Sequence, residues 1–557
     1  MSTKYLVFRA PKLNNFPVKF SRDYTLNMGA LVPILCEYVM PNSWWKLSPS
    51  HKLRTMPLVA PYMHDTWVFT RYFKVPLRLL MDEALFEKYM TGGKNDDDNT
   101  ETPKVNSGSN GYAPGSLMDY LGYASNYYND RNEEVKVANF TQNAWALRAY
   151  WKVVNDHFIN RNITDEIEFS TAPGLDTTTL KDIFYVRWGI DKYTNALPTQ
   201  SRGEPTYLPL GVSAPIVSDG NPITMLNDFF SYRTVLKPKT ITNAAINRPY
   251  IQCSTNNDSL DFDLYSTTGL KGSGNSGYAA DLTQASAIDV NQLRDTMALG
   301  FGKNLSMYVG TKLQDWLYGI FGARVSDARL QRAEYLGGDV TPLYVDDVDQ
   351  TSETTGTSPQ GNLAGKGISI NGRNKLKFYA GEPCVVLGLM YILPRTSYFQ
   401  GSRKWMNYNS RYDYPNPLYA RISDQTVYEK EILAMGDNES VTIQIPNPNG
   451  EGTISKVIDN NTIFGFEPRS EEMRTIPSTI HGDIRGSLKF WSLAREFDKL
   501  SPPMLNDDFI YARNVSKRIF AVADQSYPGI IAHSDYRGVI RQPLPKNGIP
   551  NDFGFLF

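Results

Sequence analysis

The chain has 557 residues, and its 57 Lys and Arg against 58 Asp and Glu give a formal net charge of −1. This balance excludes a generally basic nucleic-acid coat and leaves local basic patches as the route to DNA. The sequence contains no apolar run near the roughly 18 residues that a membrane helix needs, and its start lacks the features of a secretory signal, so we expect neither membrane insertion nor ordinary secretion.

The first predicted elements are strands and a short helix. Apolar residues alternate over Met28 to Met40 and over Thr66 to Val75, which is typical of half-buried strands. Leu79 to Tyr89 is predicted to be a short helix that ends before Gly92-Gly93, because glycine readily adopts the positive φ that follows a helix.

The clearest helical pattern follows. It covers Phe140 to Phe158, with one apolar stripe formed by Phe140, Ala144, Leu147, Trp151, Val154 and Phe158. A second helical stretch runs from about Ile288 to Phe321, and we expect a break near Gly300-Phe301-Gly302.

A compositional change separates these two helical regions. From Gly211 to about Ser286 the chain is rich in Ser, Thr, Asn, Gly and Pro, with few periodic apolar residues. A stretch of this length is too long for an ordinary loop in a compact domain. We therefore predict three parts: residues 1–210 with helical insertions, an inserted surface protrusion at 211–286, and residues 287–557 with a helical segment and long loops.

Strands return late in the chain. The candidates are Cys384 to Leu393, Val441 to Ile445, Phe509 to Arg513 and Arg518 to Ala523. Early and late strands separated by helices and loops favour one mainly β sandwich whose connections have grown.

We find no pattern that indicates an enzyme. The five histidines are scattered without metal-ligand spacing, and the three cysteines lie too far apart for a zinc knuckle. His533-Ser534-Asp535 has the residue types of a hydrolase triad, but consecutive side chains point in different directions. Gly272 to Gly277 matches GxGxxG inside a polar insertion, where a flexible turn is the better interpretation. We predict no catalytic residue, no metal and no cofactor.

Cations and aromatic residues alternate near the C-terminus. The candidate DNA contacts are the cations Arg513, Lys517, Arg518, Arg537 and Arg541, with Tyr511 and Tyr536 as stacking partners. Cations beside aromatic rings are typical of single-strand binding. A solvated strand face, or ion pairs between subunits, explains the same pattern almost as well.

Several segments, in this order, resemble the major capsid protein of microviruses, the small phages with circular single-stranded DNA, and most closely the gokushovirus type. The most specific is DARLQRAEYLGG at Asp327 to Gly338, whose motif residues are Asp327, Arg329, Leu330, Gln331, Arg332, Glu334 and Tyr335. MGALVPILCEYVMP begins at Met28, TSPQGNLAG at Thr357, and FGFEPRSEEMRTIPSTIHGDIRGSLKFWSLAREF at Phe464. The middle of the helix before Asp327, and the tail from Asn551 to Phe557, depart from the family pattern.

The resemblance implies an eight-stranded antiparallel viral jelly roll, of which sixty copies close a T=1 icosahedral virion around the genome. It implies as partners an internal scaffolding protein, a minor pilot protein, a small basic DNA-binding protein and a host receptor, with assembly in the bacterial cytoplasm. It also places the 211–286 insertion at a three-fold axis. There, Phe229, Phe230, Tyr232, Tyr250 and Phe262 are the candidates for an apolar cluster shared by three copies.

Two other classes of protein remain as alternatives. Aromatic, Asn-rich loops also suit a bacterial glycan-binding β-sandwich or a glycosidase on a similar scaffold, but these predict an export signal or a carboxylate pair on strands, and we find neither. A cytoplasmic enzyme is the second alternative, and it lacks any motif.

Overall fold

The computed structural model describes residues 12–94, 99–203, 206, 216–218, 223–226, 233–239, 250–255, 258–262, 278–280, 290–349, 363–371, 375–421, 423–446, 452–522, 524 and 527–546. In the strands between 216 and 280, and at residues 290–292, 349, 363 and 446, this description covers the backbone alone. The chain forms two compact units, residues 1–200 with 306–557 and residues 201–305. The predicted insertion at 211–286 falls within the second unit.

The first unit holds most of the regular structure. Its strands are β1 Asn14–Leu26, β2 Val32–Val39, β3 Ser43–Thr55, β4 Thr66–Pro76, β5 Lys104–Asn106, β6 Tyr127–Tyr128, β7 Glu134–Val135, β8 Thr141–Asn143, β15 Glu334–Pro342, β16 Tyr344–Asp349, β17 Leu363–Asn371, β18 Leu376–Ala380, β19 Cys384–Pro394, β20 Ser397–Tyr398, β21 Gln425–Tyr428, β22 Val441–Pro446, β23 Thr453–Ile458, β24 Ile463–Glu467, β25 Ser478–Thr479 and β26 Ile530–Gln542. The second unit supplies β9 Ile216–Ser218, β10 Ile223–Leu226, β11 Arg233–Lys239, β12 Tyr250–Thr255, β13 Asp258–Phe262 and β14 Tyr278–Ala280. The helices are α1 Glu83–Thr91, α2 Leu117–Leu121, α3 Trp145–Val153, α4 Val290–Val309, α5 Leu313–Phe321 and α6 Asp507–Ile510.

Two antiparallel sheets form the body of the first unit. The first sheet has the order β1-β26-β3-β17-β16, with β18 also paired to β3, and the second has the order β15-β4-β19-β2. The eight main strands of the two sheets can be numbered one to eight in chain order: β1, β2, β3, β4, β15, β16, β19 and β26. In these numbers, the first sheet has the order 1-8-3-6, with β17 inserted before the sixth strand, and the second sheet has the order 2-7-4-5. The chain therefore alternates between the sheets as a jelly roll does, and the prediction of a mainly β sandwich is confirmed.

The core lies between the two sheets. Its buried members include Leu47 on β3, Ile34 on β2, Val386 on β19 and Ile530 on β26. β3 lies near the beginning of the chain and β26 near its end. The two strands nevertheless pair along almost their whole length, from Trp44 opposite Arg541 to Thr55 opposite Ile530. Burial of apolar side chains between paired sheets stabilises the sandwich by about 25 cal/mol per Å² of apolar surface.

The second sheet is covered on its other face as well. Val385 and Leu387 of β19 belong to a second apolar cluster with α3, whereas their neighbours Cys384 and Val386 point into the sandwich core. Tyr150 of α3 donates a hydrogen bond from its hydroxyl to the Leu31 carbonyl oxygen, at 3.0 Å. Because both faces of β19 are buried, its sequence is almost continuously apolar and lacks the alternation of a half-exposed strand.

The predicted helices need three corrections. The helical stripe begins later than predicted, because Phe140 is 47% exposed and precedes β8, while α3 starts at Trp145. After α3 the chain continues as a π-helical turn, Val154–Phe158. The break expected at Gly300-Phe301-Gly302 is wrong, because α4 runs through it and ends before Gly310, whose φ of 96° lies in the left-handed region.

Two of the predicted late strands, Phe509 to Arg513 and Arg518 to Ala523, are also wrong. Phe509 and Ile510 are buried in α6, so their apolar character reflects packing against the second cluster rather than a strand pairing. In the described part of Arg518 to Ala523 the backbone turns, and Phe520 forms an isolated bridge with Leu58. Val441 to Ile445 is confirmed as a strand, within the hairpin of β22 and β23.

Candidate assembly and nucleic-acid surfaces

The residues of His533-Ser534-Asp535 do not meet as a catalytic triad. The His533 ring lies on the exposed face of β26, with Nδ1 2.6 Å from a carboxylate oxygen of Asp23. Ser534 is fully buried on the opposite face, and Asp535 pairs with Arg537 at 2.7 Å. The alternation of side chains along a strand separates them, as the sequence argument required.

Ser534 belongs instead to a buried polar network inside the sandwich. Its hydroxyl lies 2.7 Å from Nδ1 of His51 and 2.8 Å from the Tyr24 hydroxyl, and Nε2 of His51 lies 2.9 Å from the Tyr72 hydroxyl. Burial lowers the pKa of His51 to about 4. Both ring nitrogens of this histidine are engaged, and its neutral form is the one that the core accommodates.

His51 predicts a loss of stability in acid. Its pKa is about 4 in the folded protein against 6.5 normally, so between these values the unfolded chain binds more protons and the free energy of unfolding falls as the pH falls. The full contribution is about 3 kcal/mol between pH 7 and pH 4. Urea unfolding across this range should show that His51→Gln loses this part of the pH dependence, while His533→Gln keeps it. Identical pH profiles for wild type and His51→Gln would contradict the assignment.

Four of the seven predicted DNA contacts have structural roles. Tyr511 and Tyr536 are almost completely buried, so their rings cannot stack on bases. The Tyr536 hydroxyl donates to the Ile34 carbonyl oxygen at 3.1 Å, and the Tyr511 hydroxyl accepts from the backbone N–H of Asn160 at 3.2 Å. These two predictions are corrected: both rings pack in the core.

Lys517 and Arg518 likewise act inside the fold. Nζ of Lys517 donates to the carbonyl oxygen of Tyr527 at 2.6 Å. The Arg518 guanidinium donates to the carbonyl oxygens of Ser492, at 2.8 Å, and Ala494, at 2.9 Å. Both cations thus hold loops together within the fold.

The three remaining cations are exposed. Arg513 pairs with Asp508 of α6 at 3.1 Å. Arg537 and Arg541 lie on β26, where alternate residues face away from the sandwich core. The roles of these three cations as DNA contacts stay predictions. In the structure, Arg537 and Arg541 have other exposed cations as neighbours, which the sequence did not reveal.

The side of the first sheet that faces away from the sandwich core carries further exposed cations besides Arg537 and Arg541. We call it the basic face, and its exposed cations are Lys19 on β1, Lys46, Lys52 and Arg54 on β3, Lys366 on β17, Lys377 on β18, and Arg537 and Arg541 on β26. The strand registers place them on one side, since Lys19 is opposite Arg537 and Lys46 is opposite both Val539 and Lys377. The carboxylates on this side are Asp23, Asp346 and Asp535.

An exposed aromatic pair lies on the same side. Trp44 and Tyr379, opposite each other on β3 and β18, are 53% and 41% exposed, with ring centroids 4.8 Å apart. Accessible rings beside cations are the arrangement that single-strand binding requires. Part of the signal was in the sequence, because the apolar residues of Ser43 to Thr55 alternate with Lys46, Lys52 and Arg54. In the structure, the exposed positions of this strand include these three cations and Trp44.

The predicted three-fold cluster falls outside the residues whose side chains the structure describes. Phe229, Phe230 and Tyr232 lie outside the described residues. Tyr250 lies on β12 and Phe262 on β13, two adjacent antiparallel strands in which Ile251 is opposite Phe262. The cluster stays a prediction.

The family motif forms a clamp between several elements of the first unit. The backbone N–H of Ala333 donates to the Asp156 carboxylate at 2.9 Å, and Nε2 of His157 lies 2.7 Å from the Ala333 carbonyl oxygen. Arg332 bonds the Asp156 carbonyl oxygen and the Gln314 side chain. The motif thus joins the π-helical turn to the beginning of α5.

The other motif residues lead into β15. Arg332 lies 3.7 Å from Asp327, and Glu334 pairs with Lys74 of β4 at 2.9 Å. The Tyr335 ring packs against Phe73 with centroids 5.5 Å apart. The remaining motif residues are Arg329 and Gln331, which are exposed, and Leu330, which is half-buried. The motif positions polypeptide segments, and this is a structural role.

The first unit also contains two buried ionic clusters that were not predicted from the sequence. In the first, Lys192 lies 2.7 Å from Glu431 and 3.4 Å from Glu467, and Lys404 lies 3.2 Å from Glu467. In the second, Arg148 of α3 pairs with Asp176 at 2.9 Å, and both side chains are completely buried. Their positions follow no period along the chain, so no pattern could have paired them.

A cavity of about 700 Å³ opens beside the second sheet and is lined by Phe69, Phe73, His157, Tyr335 and Tyr391, among others. Burial lowers the pKa of His157, and the ring is held by the Ala333 carbonyl oxygen. Across the described residues we find no His, Cys, Asp and Glu cluster able to hold a metal ion. Nor does the described part include a helix with the length and apolar character for crossing a membrane.

Comparison with known proteins finds related sequences over nearly the whole chain. The sequence model of a family described as "Capsid protein (F protein)" matches residues 13–551. The chain is 28% identical to capsid protein VP1 of Chlamydia phage 1, over 94% of this chain and 93% of the relative. It is 28% identical to capsid protein VP1 of Bdellovibrio phage phiMH2K, over 98% and 97%. Identity to capsid protein VP1 of Spiroplasma virus 4 is 26%, over 94% and 92%.

Proposed function

This chain belongs to the phage capsid protein (F protein) family, and we propose that sixty copies of it close a T=1 icosahedral shell around circular single-stranded DNA. The family is one of structural capsid proteins, so the protein is a component of the virion and not an enzyme. The glycan-binding β-sandwich is therefore not favoured.

One observation carries the proposal: the family match extends over residues 13–551, on a chain whose strands follow the jelly-roll order. The match includes every strand from β1 to β26 and the long segments between them, so it concerns the whole chain and not one shared domain. Modest contacts repeated over a closed symmetric shell give a stable particle without one tight interface.

We assign DNA contact to the basic face. Its cations outnumber its carboxylates, and the exposed rings of Trp44 and Tyr379 supply surfaces for base stacking. A whole chain with a net charge of −1 cannot neutralise a genome, so the basic face supports local contacts, and a small basic protein of the virion supplies the remaining positive charge.

The test of enclosure is nuclease protection. Particles recovered from bacteria that express the chain with the other virion proteins should protect circular single-stranded DNA from added nuclease until the shell is opened by denaturant. Particles whose DNA is digested at the same rate as free DNA would show that the chain does not enclose it. Omitting the scaffolding, pilot or basic protein in turn shows which of these partners assembly in the cytoplasm requires.

The insertion at 211–286 is assigned to a surface protrusion at the three-fold axis that contacts the host receptor. Its basis is composition and the resemblance to gokushovirus capsids: the segment is long and turn-rich, and has too few periodic apolar residues to bury a core alone. The segment can bury a small apolar core if three copies share one cluster, formed by Phe229, Phe230, Tyr232, Tyr250 and Phe262.

Deletion of Ser254 to Gly277 tests this assignment. We expect shells to assemble in normal yield, because the jelly roll is untouched, while attachment of the particles to host cells falls at least tenfold. Sedimentation measures assembly and the depletion of free particles by cells measures attachment. Loss of shells, with normal attachment of any particles that remain, would show that the segment is a structural clamp.

A further inference from the structure

The helix α5 presents an apolar surface that the described chain leaves uncovered. None of its nine residues, LQDWLYGIF, is buried. Five large apolar side chains are exposed to extents between 39% and 65%, namely Leu313, Trp316, Tyr318, Ile320 and Phe321. A helix that is apolar on nearly every side is normally buried, so its exposure indicates a partner.

This helix is held in place and presents a fixed surface. At its beginning, Nζ of Lys312 donates to the Asp156 carbonyl oxygen at 2.8 Å, and Gln314 bonds Arg332 of the family motif. At its end, Gly322 adopts a φ of 66°, and its N–H bonds the Tyr318 carbonyl oxygen at 2.9 Å. A contact made by a fixed helix orders few additional side chains, which lowers the entropic cost of association.

The exposed area has the size that self-association needs. Large apolar and aromatic side chains present about 150–250 Å² each, so five that are roughly half exposed offer about 500 Å². Two such surfaces packed together bury at most about 1,000 Å², which is the lower limit for a specific interface. Exposed apolar surface of this size often marks an interaction site in soluble proteins.

Charge also favours a second copy of the same helix. Asp315 is the single charged residue of α5, close to its beginning, and Arg324 follows its end. In an antiparallel pair, Asp315 of each copy lies at the end where Arg324 of the other copy begins the next segment. Asp315 therefore meets Arg324 at both ends, while the ammonium of Lys312 is bonded to the Asp156 carbonyl oxygen of its own copy. No like charges are brought together in the middle.

We propose that α5 packs antiparallel against α5 of a second copy across a two-fold axis. This inference rests on the proposed self-assembly and names one of its interfaces. A two-fold contact uses the same surface on both copies, so one short helix suffices for it. The family motif has a matching role, because Arg332 holds α5 in the position from which it meets its copy.

The test is substitution of the full-length protein at the exposed face. Ile320→Lys and Phe321→Lys place an ammonium on the apolar surface of α5, and we expect the protein concentration required for assembly to rise at least tenfold by light scattering. The matched control is Ile370→Lys, which makes the same change at a 68% exposed position of the first sheet. Circular dichroism and thermal melting should show all three variants folded like wild type.

Each outcome has a distinct meaning. Assembly of the α5 variants at the wild-type concentration overturns the inference and leaves the proposed function intact, whereas failure of wild type and Ile370→Lys to assemble removes the proposed function. Normal assembly with a lowered melting temperature shows that α5 packs within its own copy, which also overturns the inference.

A second measurement does not depend on substitutions that introduce charge. In a Cys253→Ser background, Tyr318→Cys should be joined to its counterpart by a short bis-maleimide in assembled particles, which gives a covalent dimer on denaturing gels. The matched control Tyr127→Cys, exposed on β6, should remain monomeric. Absence of the Tyr318→Cys dimer in intact shells overturns the two-fold contact.

Discussion

Replacing Arg148 with Met should lower the free energy of unfolding by about 3–5 kcal/mol, because it leaves the Asp176 carboxylate buried without its counter-ion. The Arg148 guanidinium lies 2.9 Å from Asp176 and also donates to the carbonyl oxygens of Leu80, at 3.0 Å, and Ala172, at 2.8 Å. Both charged side chains are completely buried. The substitution thus removes three hydrogen bonds and one charge from a region without solvent.

Urea unfolding, followed by tryptophan fluorescence, measures this loss. The matched control is Arg395→Met, because Arg395 pairs with Asp65 at 3.4 Å while both side chains are more than half exposed. Exposed ion pairs contribute about 0–1 kcal/mol, so the control should unfold close to wild type. Equal losses in the two variants would show that the buried pair has no special role in stability.

Neutralising the basic face should weaken binding of single-stranded DNA about 10²- to 10³-fold at 0.1 M salt. The variant carries Gln at Lys46, Lys52, Lys377 and Arg537, four exposed cations on adjacent strands. Each phosphate contact releases condensed counter-ions, so removal of four contacts should reduce the slope of log affinity against log salt concentration by about 3.

The control for this variant has the same net charge. It carries Gln at the exposed cations Lys88, Arg131, Lys136 and Lys499, which lie outside the sandwich sheets. Fluorescence anisotropy with a labelled oligonucleotide should give near wild-type affinity and salt slope for the control. If the two variants weaken DNA binding equally, the contact is non-specific and the basic face has no particular role.

The second sheet was predictable because its strands leave local signals. Apolar residues alternate over Thr66 to Val75 and run almost continuously over Cys384 to Leu393, and both segments lie in this sheet as β4 and β19. The long strands of the first sheet, β1, β3 and β26, were not among the predicted strands. Helix α3 was identified by its apolar stripe, but its beginning was misplaced at Phe140, because an exposed aromatic residue in register with the stripe looks like part of it.

Positions on strands explain the errors in the DNA contacts. Tyr536 and Arg537 are neighbours on β26, so their side chains must point to opposite faces. They could not both face DNA. No strand was predicted at Ile530–Gln542, so the sequence alone did not separate the two side chains. Composition identified a region that is rich in cations and rings, but only the strand geometry separates those that face solvent from those in the core.

Contacts between distant residues could not be predicted. The basic face combines Lys19 and Arg537, which are opposite each other on β1 and β26 but are separated by almost the whole chain. The buried cluster of Lys192, Glu431 and Glu467 likewise depends on loop conformations that no local pattern encodes. Local periodicity determines which face of an element is apolar, whereas the assembly of loops depends on the complete fold.

Electron microscopy of the purified protein under assembly conditions tests the central claim most directly, which is that this chain builds a closed shell from copies of itself. We expect closed particles of uniform diameter whose reconstruction has icosahedral symmetry with sixty copies of the jelly roll, and with the 211–286 segment projecting at the three-fold axes. A field that contains only monomers or small open oligomers, at every protein concentration and in the presence of the other virion proteins, would contradict the account.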